Sequence, residues 1–399
     1  MPQAFEGIRI VDFSQVLAAP FAVMQLALLG AEVIKVEHPV GGDQTRGLMN
    51  SGADHGMAPS FLGMNLNKKS ITVNLKSPDG VTIIKKMIES ADVVVENFKA
   101  GTMEQLGLGY DVMAEWKPDL IFCSVTGYGQ TGPRAGDAAY DGAIQAASGM
   151  MSQNGHESTG PTRTGYMPVD MATALNTAFA ISAALYRKLN TGLGQRIDVA
   201  MLDTAVVAQA AQFSNYLNQG SLVGLLGNAS PTKQPTANVF ETSDGNIQVT
   251  AIRQHQVEKF FTAIEEEDQL NHPKFATPEA RIENATEVHN VIVAAMKKRT
   301  TSEWMKALAS EGIPVAEIKS IPEVCDDESL RERGVFTTHQ HPLDADRSFT
   351  VVKAGYLLNQ DGPQVRSVAP LHGQHTEETL IILGFSNEDI QRFKADGVC

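Results

Sequence analysis

Through roughly the first two hundred residues, short β-branched runs alternate with segments of helix length, which restricts the chain to strand–helix–strand crossovers. Ile8 to Phe13 (IRIVDF) reads as a buried strand, Ala19 to Leu29 as an apolar helix ended by Gly30, and Glu32 to Glu37 (EVIKVE) as the next strand. Strand patterns recur at Ile71 to Leu75, Asp92 to Asn97 and Leu120 to Val125, with a helix over Pro78 to Ala91. A long Ala- and Leu-rich helix over Met171 to Asn190 is stopped by Thr191-Gly-Leu-Gly-Gln195, and a strand, Arg196 to Met201, and a second apolar helix follow. This spacing predicts an α/β fold: a doubly wound, mostly parallel, Rossmann-like large domain over 1–217.

The grammar changes at 218–237, where Gly220, Gly224, Gly227, Pro231 and Pro235 break any periodic pattern and mark a linker. Beyond it, Asn238 to Thr242 and Asn246 to Ile252 flank Ser243-Asp244-Gly245 as a β-hairpin, and charged amphipathic helices follow. One is capped near Thr301 or Ser302 and ends at Gly312. This is α+β patterning, so 238–325 is expected to be a smaller second domain. Two further helices are expected at Thr376 to Leu383 and Asn387 to Asp396.

Composition removes several function classes. The chain has 399 residues and a net charge of −14, which repels nucleic acid and anionic membranes. No window approaches the ~18 consecutive apolar residues of a membrane span. MPQAFEGIRIVDF carries no basic stretch leading into an apolar one, so no secretory signal is expected. The three cysteines, Cys123, Cys325 and Cys399, lack disulfide or metal spacing, which points to a reducing compartment and to the cytoplasm. His339 with His341 and His372 with His375 are the nearest histidine pairs, and neither belongs to a metal framework. No metal is expected.

The first strand–turn–helix is where a dinucleotide-binding chain shows its glycines. Here the turn runs Asp12-Phe-Ser-Gln-Val-Leu-Ala-Ala-Pro20 without one, so close approach to a pyrophosphate is closed off. Glu37 ends the second strand where a ribose-binding acid would sit, but reads more simply as a surface acid. Asp170 lies at or near the start of the long helix, where the helix dipole and unpaired N–H groups favour a carboxylate that stays ionised at pH 7. Such a carboxylate can attack an acyl carbonyl. Aspartate is also among the commonest N-caps, so position alone leaves capping and catalysis both open.

Several stretches together resemble the class III CoA-transferase family. They are Asp12-Phe-Ser with Ala19-Pro20-Phe21; Leu29-Gly-Ala-Glu-Val-Ile-Lys-Val-Glu37; Gly42-Asp43 with Thr45-Arg46; Asn67-Lys-Lys-Ser70; and Val95-Glu-Asn-Phe98. The series continues with Gly127-Tyr-Gly-Gln-Thr-Gly-Pro133, Tyr140-Asp141 before Gln145-Ala-Ala-Ser-Gly149, Thr191-Gly-Leu-Gly-Gln195 and Gly373-Gln-His-Thr376, covering essentially the whole chain in order. The resemblance implies an enzyme that moves CoA from an acyl-CoA donor to a small carboxylic acid. Asp170 would be the nucleophile, passing through an aspartyl–acyl anhydride and a β-aspartyl-CoA thioester. CoA and acyl-CoA would be substrates, with no permanently bound cofactor.

By the same resemblance the CoA would run along Val16, Ala18, His38, Val73, Lys76, Asn97, Phe98 and Tyr140, with Lys76 at phosphate and Asn97 and Phe98 at the adenine end. His38 and Gln105 stand where formyl-CoA transferases carry arginines, and the glycine run those enzymes hold over the site is absent, with Asn228 to Ala237 in its place. Arg46, Arg163 and Arg253 are candidate clamps for a second carboxylate, or plain ion pairs. The family further implies a homodimer of interlocked chains, with 326–399 returning to complete the large domain. Two rivals remain: a 2-methylacyl-CoA racemase and a CoA-binding protein without activity. A racemase needs acid/base groups on both faces of the α-carbon, and Tyr140 occupies the position of its histidine, a poor base.

Overall fold

The computed structural model describes residues 2–48 and 56–399. Six strands form one parallel sheet: β1 (Arg9–Asp12), β2 (Glu32–Glu37), β3 (Lys68–Thr72), β4 (Val93–Glu96), β5 (Ile121–Thr126) and β6 (Gln195–Ala200), in the order β3-β2-β1-β4-β5-β6. The chain winds outward from β1 to β3, returns to β4 beside β1, and winds the other way, so the crevice between the carboxyl ends of β1 and β4 is the topological switch point.

Alternate side chains of each strand serve opposite faces. Ile10, Val33, Val93, Val95, Ile121 and Val199 face one layer, packed by α1 (Ala18–Leu28) and by a later long helix. Val11, Ile34, Ile71, Val94 and Phe122 face the other, covered by α2 (Pro78–Ile88) and α3 (Tyr110–Trp116). The helix α1 is buried on all sides, as a helix apolar all round must be.

Three helices follow that bear on the site: α4 (Asp141–Ala147), α5 (Pro168–Thr191) and α6 (Met201–Ala208). Gly127 and Gly194 are steric necessities here. A Cβ on Gly127 would lie 2.1 Å from the Cβ of Ala139, and one on Gly194 would lie 2.1 Å from the carbonyl oxygen of Leu120. The first contact folds the 127–139 loop back on itself beside the end of β5.

The described residues form two compact units. The first holds 1–148, 165–210 and 328–399, with the sheet and two C-terminal helices. The second holds 149–164 and 211–327. In it β7 (Ala237–Glu241), β8 (Asn246–Thr250) and β9 (Val315–Glu317) form an antiparallel sheet, backed by α7 (Gln254–Ala263), α8 (Ala285–Met296) and α9 (Thr301–Ser310) around Phe240, Phe260, Phe261 and Trp304. The cap of α9 is Thr300, one residue earlier than expected, in a capping box with Glu303.

In the first unit, α10 (Thr376–Ile382) and α11 (Asn387–Ala395) place Leu380, Ile390 and Phe393 in the core beneath α2. Just before them, Gly373-Gln-His-Thr376 closes the edge of β3. His375 donates its N–H to the carbonyl of Ser70 at 2.8 Å, and Thr376 Oγ1 accepts the Thr72 N–H at 3.0 Å. That blunts an edge strand which otherwise invites pairing. β3 itself begins at Lys68 rather than the expected Ile71. Lys68 is buried inside the strand because Asp12 neutralises it at 2.8 Å.

Candidate active site

A cavity of about 310 Å³ opens at the switch point, lined by the loop after β1, the turn after β4, the end of β5, Tyr140 and the first turn of α5. The β1 loop is held in an uncommon shape. Val16 has φ +71°, a left-handed conformation that a β-branched residue adopts only under constraint. Three buried or half-buried groups supply the constraint. Asp43 Oδ1 accepts the Val16 N–H at 3.2 Å, Lys35 Nζ donates to the Ser14 carbonyl at 2.5 Å, and Asn97 clamps Gln15. The Asn97 side chain accepts the Gln15 N–H and donates to the Gln15 carbonyl, both at 2.8 Å. Its amide is therefore spent on the loop, although the residue lines the cavity.

Behind this loop lies a charge-balanced cluster. Lys35 pairs with Asp43 at 2.9 Å, Lys68 with Asp12 at 2.8 Å, and Arg46 with Glu37 at 2.6 Å, all buried. Arg46 also donates to the carbonyl of Pro370 and stacks 3.7 Å from the ring centroid of Phe61. With its guanidinium so engaged, Arg46 is part of the scaffold and not a substrate clamp. Glu37 is buried between Arg46 and Ser70, so it is neither a ribose ligand nor a surface acid. Under the β4 turn, Glu96 accepts the Phe98 N–H at 2.8 Å, and burial pushes its carboxyl up to about 7.

Asp170 presents a different environment. Helix α5 begins at Pro168, whose fixed φ suits the first helical position, so Asp170 stands inside the first turn and not before it. The capping of α5 falls to another residue. Asp141 Oδ2 accepts the N–H of Val169 at 2.9 Å and that of Asp170 at 3.1 Å. The Asp170 carboxylate has no hydrogen bond or ion pair among the described residues and faces the cavity. Burial, then the charge of Asp141, pushes its carboxyl up to about 6. At pH 7 it is still roughly nine-tenths ionised.

The structure thus brings Val16, Ala18, Asn97, Phe98, Tyr140 and Asp170 around one cavity. It leaves His38, Val73 and Lys76 outside that cavity, beyond the carboxyl ends of β2 and β3. Val73 is in the core, while His38 and Lys76 are exposed. Sequence reasoning missed the cavity residues Gln15, Lys99, Thr126 and Met201, and the capping role of Asp141. One signal for the latter was present: Pro168 opens a helix whose preceding residue, Met167, cannot cap it, so a cap must come from elsewhere. A second hollow of about 470 Å³ runs along the β3 edge, where Lys69 and Glu32 pair with each other at 3.0 Å. Among the described residues no group of three or more His, Cys, Asp or Glu could hold a metal, and no helix is long and apolar enough to cross a membrane.

The chain matches the family described as CoA-transferase family III over residues 5–376. It is 35% identical to a human succinyl-CoA:glutarate CoA-transferase, across 98% of this chain and 89% of that protein. It is 32% identical to a formyl-CoA:oxalate CoA-transferase of Rhodopseudomonas palustris (strain HaA2), across 100% and 97% of the two chains. The crystal structure of a CAIB/BAIF family protein from Brucella suis superposes with a TM-score of 0.85 at 30% identity, covering 96% of this chain and all of that one. The chain belongs to the class III CoA-transferase family and is an enzyme acting on CoA thioesters and carboxylic acids.

Proposed function

We propose that this enzyme moves CoA from an acyl-CoA donor to a small carboxylic acid through covalent intermediates on Asp170. The observation that carries the reading is an ionised, half-buried carboxylate with no partner among the described residues, in a cavity at the sheet's switch point. An Asp170 oxygen attacks the donor acyl carbonyl, the C–S bond breaks, and CoA leaves as thiolate with an aspartyl–acyl anhydride behind. The thiolate then attacks the aspartyl carbonyl, giving a β-aspartyl-CoA thioester and the free donor acid. The acceptor carboxylate attacks that thioester, releasing thiolate and forming a second anhydride. Thiolate attack on the acceptor acyl group restores Asp170. Every step exchanges one activated acyl bond for another, so no ATP is required, and the half-buried site limits hydrolysis of the anhydrides.

CoA is read as lying across the carboxyl edge of the sheet. Because Asn97 and Phe98 line the same cavity as Asp170, they are read here as flanking the reactive arm and not the adenine end: the arm enters between Val16–Ala18 and Asn97–Phe98, beside Tyr140, and the nucleotide end passes toward His38, Val73 and Lys76. The relatives named for succinyl-CoA, glutarate and oxalate support a small dicarboxylic acid as substrate. A homodimer belongs to the same reading. Leu175, Phe179, Tyr186 and Leu189 repeat along one face of α5 and are exposed by 58, 74, 71 and 83%, a stripe that a second copy would cover. The interlocked arrangement, the large domain of 1–217 with 326–399, the linker 218–237, the small domain 238–325 and the cytoplasmic location complete it. A division into two domains is supported by the two compact units, the second of which also takes in 149–164 and 211–237, and the cysteine spacing supports the location.

Trapping with hydroxylamine during turnover, followed by peptide mass spectrometry, tests the nucleophile. A hydroxamate is expected on Asp170 and only when acyl-CoA is present. A label on another residue, or none while turnover proceeds, overturns the reading. A stable monomer in dilute solution overturns the dimer.

A further inference from the structure

The residue beside the nucleophile has a geometry that the reaction steps above leave unused. Asp141 is 6% exposed, and its Oδ2 accepts both N–H groups that open α5, at 2.9 and 3.1 Å. Its Oδ1 accepts from Gln145 Nε2 at 2.5 Å. The carboxylate is therefore locked on both oxygens, beside a second carboxylate that has no partner of its own among the described residues.

We propose that Asp141 is the positioning residue of this site: it fixes the first turn of α5, and its charge drives the neighbouring Asp170 toward neutral, acylated forms. This rests on the reading of Asp170 as nucleophile. Each time Asp170 becomes an anhydride or a thioester it loses its negative charge, and the repulsion from Asp141 is relieved. The same repulsion makes the free Asp170 carboxylate more basic, and a more basic oxygen is a stronger nucleophile toward a thioester carbonyl. A helix cap alone requires an acceptor at this position, and an asparagine would serve. The charge-driven role requires the charge.

Among the described residues, the surrounding elements offer no other group for the task. Tyr140 precedes α4, Lys99 and Asp137 lie on the cavity wall, and α6 carries the exposed Asp203. β5 contributes the buried thiol Cys123, and β6 carries Arg196 and Asp198, which face Glu104 and the Gln130 N–H. The helix α1 has no charged residue. Of all these, the charge that acts on Asp170 is that of Asp141.

Asp141→Asn separates the two roles, because its amide oxygen can still accept the two N–H groups while Gln145 turns its own amide to match. The acid limb of kcat/KM reports the nucleophile in the free enzyme. In Asp141→Asn it should move down by roughly half a unit to one unit, since burial and not Asp141 is the larger cause of the rise. The kcat should fall about three- to tenfold with the KM for acyl-CoA unchanged. Asp141→Ala should move the acid limb likewise and in addition lower the melting temperature. An acid limb that stays in place in Asp141→Asn overturns the proposal. A readout free of turnover guards against an inactive variant: the change in melting temperature on adding Asp170→Asn, compared between pH 8 and pH 5. That pH dependence should shrink in the Asp141→Asn background, and equal dependence in both backgrounds also overturns the proposal. Asp170→Asn retaining turnover would instead refute the nucleophile reading, and the melting comparison would still decide the role of Asp141.

Discussion

The chain buries acids in two ways within a single layer of its α/β unit, and the contrast separates scaffold from chemistry. Behind the β1 loop, Asp12, Glu37 and Asp43 are matched one to one by Lys68, Arg46 and Lys35. Burial works against their charges, yet Arg46 and Lys35 hold Glu37, and Lys35 and Thr45 hold Asp43, below the usual carboxylate range. At the start of α5, Asp141 and Asp170 lie together with no cation among the described residues paired to either, and the carboxyl of Asp170 rises to about 6. Matched charges keep a strained loop in place. The unmatched pair keeps one carboxylate reactive. A protein tolerates such an uncompensated charge where it serves a reaction, at a cost in stability.

The largest effect should come from removing the unmatched acid. Asp170→Ala should lower kcat by at least about 10⁴-fold, the scale of losing a covalent nucleophile, with CoA binding by calorimetry retained. Turnover within tenfold of the wild type would erase the contrast. Breaking the matched set should act on folding instead. Lys35→Met leaves Asp43 buried without its partner and should cost about 3–5 kcal/mol, seen as a lower denaturant midpoint. Adding Asp43→Leu should return much of that loss, because it removes the stranded charge. If the single variant proved neutral, the cluster would not be what holds Val16.

The third prediction concerns pH. The folded-state pKa of Asp170, about 6, lies above the 3.8 of an exposed aspartate, so the folded protein holds that proton more tightly than the unfolded chain. Stability from this group is therefore full below pH ~4 and declines as pH rises through 6, reaching a cost of about 2–3 kcal/mol. Asp170→Asn should stabilise the protein by that amount at pH 8 and by almost nothing at pH 4. Thermal unfolding at the two pH values checks it, and a variant less stable than wild type at pH 8 would refute it.

How much of this could be read without coordinates follows the range of the interactions involved. The parallel sheet was legible because β-branched strands and helix-length spacers are local patterns, and β2 falls on Glu32–Glu37 as expected. The start of β3 was not, because Lys68 is a strand residue only by virtue of Asp12, 56 positions away in sequence. Arg46 looked available for a substrate because nothing local announces its stack on Phe61 or its bonds to Glu37 and Pro370. Asp170 stood out by its place near a helix start, but its first-turn position was hidden by a helix beginning three residues before Met171, at Pro168. The division of labour with Asp141 was hidden too, since that contact spans 28 and 29 residues of chain.

A third charge regime, the solvated one, gives the smallest expected effect. Lys76 is exposed on the turn between β3 and α2, its backbone N–H held by Asn74 Oδ1 at 3.1 Å. If its ammonium meets a CoA phosphate, the pair sits in water, where such contacts contribute about 0.2–1 kcal/mol. Lys76→Ala should then raise the KM for acyl-CoA about two- to fivefold at low salt and leave kcat alone. Because exposed charges are screened within about 10 Å at 0.1 M salt and about 3 Å at 1 M, the wild-type advantage should fade as salt is added. The buried pair at Lys35 should show no such fading, because no counter-ion reaches it. Equal salt sensitivity in the two variants would mean that the cluster behind the β1 loop is solvated after all, and the division between matched scaffold and unmatched site would fall with it.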